Sequence, residues 1–220
     1  DLILHSPGGN VAATESIIHY IRAKFGSNVR TFVPQLSMSG GTMIALSGHE
    51  IWMGRHSNLG PIDPQFGSQP ARLVLSEFDE ALEKVKQDPA SINVWRPILE
   101  QIPPTYLSAC EHAIDWSIEI ATRTLADGMF KDRADALDFS KEIAEGLADF
   151  SKSKSHSRHF HREDCEELGL KITSLESSQE MQDAVLSVHH ACMISLMDTP
   201  AAKLIENDRG ILYGKMIGSA

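Results

Sequence analysis

Apolar and polar positions alternate between two rhythms in the first fifty residues. Leu2 to His5 is a short unbroken apolar run, the mark of a buried strand. Val11, Thr14, Ile18, Ile21 and Phe25 then recur at three- and four-residue steps, which predicts an amphipathic helix closed near Gly26. Val29 to Val33 predicts a second strand, Thr42 to Leu46 a short apolar helix, and Ile51 to Met53 a third strand. This β-α-β-α-β order implies a parallel sheet with right-handed crossovers, and ligands of such sheets sit at the carboxyl ends of the strands.

Further along, two prolines stiffen the loop Gly60-Pro61-Ile62-Asp63-Pro64-Gln65. Residues 73 to 150 read as mainly helical. Tyr106 to Leu125 is apolar around most of its circumference and is expected to be well buried. Ser151 to Ser157 reads as a polar loop, Arg162 to Leu168 as a short helix ended by Gly169, and Leu170 to Ile172 as a strand. Ser177 and Ser178 precede a helix to about Met197, and Ile211 to Tyr213 is a final strand. The reading is one α/β domain over 1–220. Residues 1–70 carry the turns, 71–150 a helical insertion, and 151–220 the closing loop, strand and helix.

Composition narrows the partners. A net charge of −10 over 220 residues argues against nucleic acid as a partner, because phosphate binding needs clustered Lys and Arg. Three widely spaced cysteines, Cys110, Cys165 and Cys192, predict reduced structural thiols and a cytoplasmic setting. The chain starts inside a strand without Met, which predicts a truncated N-terminus where a membrane anchor could be missing.

The chemistry lies in two glycine turns, His5-Ser6-Pro7-Gly8-Gly9-Asn10 and Ser37-Met38-Ser39-Gly40-Gly41-Thr42, each placed between a strand and a helix. A serine at a helix start has unpaired N–H groups beside it in a positive field, and glycines let a substrate carbonyl approach them. Ser39 is therefore the candidate nucleophile, with Gly8 or Gly9 and Gly40 as oxyanion donors. The bland alternative is that Ser39 merely caps the following helix. Ser37 is the rival nucleophile.

Together with Leu59-Gly-Pro-Ile-Asp-Pro-Gln65, these motifs resemble the serine dehydrogenase proteinase family. That family belongs to the clan of the Clp protease proteolytic subunit and signal peptide peptidase A. The resemblance is close over Asp1 to Phe66, loose between about 70 and 150, and resumes at His156 to Ile172. It implies the spiral of ββα units shared with crotonases, a serine hydrolase or peptidase acting on peptide or protein substrates, and a homo-oligomer.

The general base departs from the clan's best-known pattern. Counting forward from Ser39 to the usual histidine position reaches Asp63, and the acidic position falls near His156. An exchanged pair is the expectation, with His156 as base and Asp63 orienting it. Lys84 or Lys86 is the alternative, although both sit in a highly charged helix whereas a base lysine must be desolvated. Asp63 also suits a purely structural turn.

His156, His159 and His161, with Asp164 and Cys165, lack zinc-ligand spacing, so no metal is expected. No Gly-x-Gly-x-x-Gly or pyridoxal phosphate lysine is present in context, so no cofactor is implied. Two competing functions remain: a crotonase-like acyl-CoA enzyme, and a catalytically silent oligomeric scaffold. Met43–Leu46 and Val185–Met197 could face neighbouring subunits or be ordinary core.

Overall fold

The computed structural model describes residues 1–66, 69–149 and 158–217, which fall into two units, Asp1–Ser174 and Leu175–Ala220. In the first, strands β1 (Leu2–Ile3), β2 (Arg30–Val33), β4 (Glu50–Met53) and β8 (Ile172–Ser174) form a sheet in that spatial order. Every pairing in it is parallel, with Phe32 beside Trp52 and Trp52 beside Thr173. Helix α1 (Val11–Phe25) makes the first crossover. Its Asn10 cap accepts the Ala13 N–H at 3.1 Å, and Gly26, at φ 63°, ends it where a side chain would be strained.

A second layer of very short strands sits beyond the carboxyl ends of the first. Strand β3 (Leu36–Ser37) pairs in parallel with β5 (Asn58–Leu59), and Ser6 bridges to Ser37 in the same sense. On the far side Leu59 bridges antiparallel to Phe160. Thus β1, β2 and β4 each run on into this layer before the chain turns away. That is the spiral of ββα units the resemblance implies, and the fold is α/β and ClpP-like.

Helix α2 (Gly40–Ala45) is wholly buried, and Met43, Ala45 and Leu46 are core residues of this chain rather than a surface for a neighbour. They join Ile18, Ile21, Val33, Ile51 and Met53 in the main core, where each fully buried side chain contributes about 1.5–3 kcal/mol.

The insertion comprises β6 (Gln65–Phe66), β7 (Gln69–Pro70), α3 (Ala71–Gln87), α4 (Ile92–Leu99), α5 (Tyr106–Ala126) and α6 (Ala136–Ala148). Burial of α5 is less complete than its apolar content suggests. Ile120 to Ala126 is largely enclosed, but earlier in the helix only Cys110, Ile114 and Ser117 are buried, and Trp116 is exposed. Glu111, His112, Asp115 and Glu119 give the helix a polar stripe that must face water.

Helix α7 (Arg162–Glu167) precedes β8. That strand begins at Ile172 rather than Leu170, because Leu170 N–H turns back to Cys165 O at 3.0 Å after Gly169 at φ 94°. The second unit holds α8 (Gln179–Met197), capped by Ser178 onto Met181 N–H, and an antiparallel hairpin of β9 (Ala201–Glu206) and β10 (Leu212–Met216). No helix among the described residues is long and apolar enough to cross a membrane.

Candidate active site

Backbone pairing in the second layer draws the two glycine turns together. Ser6 N–H donates to Leu36 O at 3.1 Å and Met38 N–H donates to Ser6 O at 2.9 Å. The residues after Ser6 and after Ser37 must therefore leave the layer side by side. Gly8 and Ser39 meet there: a Cβ on Gly8 would lie 3.0 Å from Ser39 Cβ and 3.6 Å from Ser39 Oγ. Gly8, at φ 116°, has a backbone conformation that side-chain-bearing residues rarely adopt. A Cβ on Gly40 would in turn come within 3.3 Å of Gly9 N.

Ser39 itself is strained. Its φ of 51° and ψ of −117° are unusual for a residue with a side chain, and Thr105 is the other described non-glycine with positive φ. Strain of this kind costs of order 1–3 kcal/mol and is characteristic of a nucleophile held at a sharp strand-to-helix turn. The side chain makes no capping hydrogen bond to α2, so a capping role does not account for the serine. Ser37, by contrast, is fully buried, and its Oγ lies 2.8 Å from where a Gly41 Cβ would sit.

The amides around Ser39 differ in availability. Gly8 N–H donates to Ser6 Oγ at 3.1 Å. Gly9 N–H and Gly40 N–H make no hydrogen bond among the described residues. Gly40 is the first residue of α2, and Gly9 lies just ahead of α1, so both amides sit in the positive field of a helix start.

Thr42 locks the arrangement. Its buried hydroxyl lies 2.7 Å from Ser37 O and 2.9 Å from Gly60 O, and accepts Gly60 N–H at 3.0 Å. One side chain thus ties the start of α2 to the strand before Ser39 and to the loop leading to Asp63. Sequence reasoning missed Thr42 and Ser6, since a hydroxyl in a glycine turn reads as ordinary turn chemistry.

A cavity of about 450 Å³ opens over the turns, lined by Pro7 to Ala12, Ser39, Pro64 to Phe66, Ala113 and Trp116. Among the described residues no ionisable side chain lines it. Phe66 packs edge-on against Tyr106, with ring centroids 5.6 Å apart. Two of the walls, Ala113 and Trp116, come from α5 in the helical insertion.

Asp63 is buried in the rigid loop, beside Ile62, whose N–H donates to Leu147 O at 3.1 Å. His156 lies outside the described residues. The nearest described anchor is Phe160, which exchanges both backbone hydrogen bonds with Leu59, at 2.8 and 3.0 Å. Lys84 and Lys86 are on α3 with exposed side chains, paired to Glu80 at 2.6 Å and to Glu83 at 2.7 Å.

Within the histidine-rich segment, Asp164 accepts His161 N–H at 2.8 Å and so caps α7, while His159 and His161 are exposed. Cys165 is enclosed, and burial, with the acidic Asp164, Glu166 and Glu163 around it, pushes its thiol up to about 12. A thiol held protonated in this way is a poor metal ligand.

The spiral fold and the strained serine turn define a ClpP-like α/β protein. The chain belongs to the ClpP-like SDH-type serine proteinase family, whose model matches residues 1–193. It is also similar to two uncharacterized proteins of Methanocaldococcus jannaschii. One is 38% identical over 88 residues, 40% of this chain and 30% of the relative. The other is 41% identical over 80 residues, 36% of this chain and 28% of the relative. The chain therefore spans less than a third of the length of either relative. No solved structure matches it.

Proposed function

We propose that this protein is a serine peptidase acting through an acyl-enzyme on Ser39. The observation that carries the reading is the conjunction at one point of a strained, uncapped serine, two unengaged amides and an open cleft. In the proposed reaction Ser39 Oγ attacks the scissile carbonyl carbon and gives its proton to a base. The carbonyl oxygen becomes an oxyanion held by Gly9 N–H and Gly40 N–H, each worth roughly 3 kcal/mol of barrier. The C–N bond then breaks, the amine leaves with the proton, and water hydrolyses the ester on Ser39 by the same route.

The proposed base is His156, with Asp63 fixing its tautomer and stabilising the imidazolium. Sequence spacing from Ser39 supports the pair, since Asp63 and His156 fall where the resemblance puts the clan's histidine and acidic partner. The lysine alternative has less support, because exposed, ion-paired ammonium groups lack the desolvation a base requires. A crotonase-like reaction would need the two amides but not a strained serine beside them.

Hydrolysis of a fluorogenic peptide library by the full chain tests the reading. Ser39→Ala and His156→Ala are expected to lower kcat about 10⁴-fold or more, while Lys84→Ala and Lys86→Ala leave it unchanged. Equal rates for Ser39→Ala and the wild type would end the proposal.

A further inference from the structure

Thr14 is 3% exposed, and its hydroxyl makes no hydrogen bond among the described residues. It is the fourth residue of α1, where a side chain tilts back toward the start of its own helix. That tilt carries the hydroxyl into the seam between the start of α1 and the start of α2. Three distances locate it there. From the point where a Gly40 Cβ would sit, Thr14 Oγ1 is 2.5 Å away, Gly9 N 3.3 Å and Gly9 O 3.5 Å. Gly40 N is bonded to the same α-carbon. The Thr14 hydroxyl thus faces the gap between the two amides proposed to hold the oxyanion, and the bare α-carbon of Gly40 keeps that gap open.

A buried hydroxyl without a partner destabilises a fold, and valine has the same shape without that cost. Packing alone therefore does not account for a threonine at this position. Gly9 has a use for such a group. Its neighbour Gly8 is held through its N–H, which donates to Ser6 Oγ at 3.1 Å. Neither Gly9 N–H nor Gly9 O is engaged among the described residues, and a Cβ on Gly9 would meet nothing within 4 Å. An idle buried donor and an idle acceptor thus stand beside the same point of Gly40. Hydrogen bonds of a catalytic site are often long at rest and tighten as charge develops.

We propose that Thr14 is a positioning residue of the oxyanion hole, its hydroxyl donating to Gly9 O. With Ser6 holding Gly8 on one side and Thr14 holding Gly9 on the other, Gly9 N–H stays aimed beside Gly40 N–H as the oxyanion forms. The assignment rests on the acyl-enzyme reading at Ser39.

Peptide hydrolysis and the rate of fluorophosphonate labelling at Ser39, measured on the full chain, test it. Thr14→Val keeps the shape and removes the hydroxyl. It is expected to lower kcat and the labelling rate about tenfold or more, with KM within about twofold of wild type. Thr14→Ser returns the hydroxyl and is expected to restore both rates to within about threefold. Should Thr14→Val misfold, Thr14→Ala takes its place against Thr14→Ser, with the same contrast expected. Unchanged rates in the variant without the hydroxyl overturn the inference, as does a Thr14→Ser as slow as that variant, which would assign Thr14 to packing. A rise in KM with kcat unchanged also overturns it. A wild type that neither labels at Ser39 nor cleaves peptides overturns the acyl-enzyme reading, and this assignment with it.

Discussion

Gly8 and Ser39, thirty-one residues apart in sequence, approach so closely that a methyl group on the glycine would press to 3.0 Å from the serine Cβ. Neither turn could take this position alone. The clasp between Ser6 and the Leu36–Met38 backbone brings them together, and Thr42 keeps the second turn in place.

That closeness separates two adjacent glycines. Gly8→Ala adds a side chain at φ 116° against Ser39 and is expected to cost about 1–3 kcal/mol and to slow any reaction at Ser39. At Gly9 an added Cβ meets nothing within 4 Å, so Gly9→Ala is expected to leave stability within about 0.5 kcal/mol of wild type. Urea unfolding of the two variants checks this, and equal losses would show that the turns do not converge as described.

Strain at Ser39 predicts a trade between stability and activity. Ser39→Gly should relieve the positive φ and lose no capping bond, raising stability by about 1 kcal/mol while abolishing hydrolysis. Ser39→Ala keeps the strain and should abolish hydrolysis without that gain. Chemical denaturation of both variants distinguishes them, and a destabilised Ser39→Gly would mean the turn is relaxed.

Cys165 gives a pH signature away from the site. Its folded-state thiol is raised to about 12, above the ordinary value of 9.0, chiefly by burial. Between those limits the folded protein holds a proton that the unfolded chain gives up, so this contribution is intact below about pH 9 and lost as pH rises toward 12, at up to about 1.4 kcal/mol per unit. Stability curves measured upward from pH 8.5 should fall less steeply for Cys165→Ala. The native thiol should also resist iodoacetamide at pH 8 until the protein unfolds.

Much of this was legible in the chain. The strands and helices from Leu2 to Met53 follow from apolar period and glycine punctuation, and Ser178 marked the start of α8. The second layer did not announce itself, because β3 and β5 are two residues each and too short to show a period. Strand β9 was missed because Ala201–Glu206 lacks alternation, with most of its residues facing water. At the site, the glycines after Ser39 favoured it over Ser37, which Met38 follows, and the backbone angles of Ser39 and the burial of Ser37 add to that distinction. The choice between Gly8 and Gly9 rests on Ser6 Oγ, a contact without a sequence signal.

The most direct trial of the account is covalent labelling of the full chain with a fluorophosphonate, followed by intact-mass and peptide mapping. One adduct on Ser39, absent from Ser39→Ala and formed much more slowly by His156→Ala, is the predicted result. An adduct on Ser37, or an unmodified Ser39 in a protein that still cleaves peptides, would contradict it.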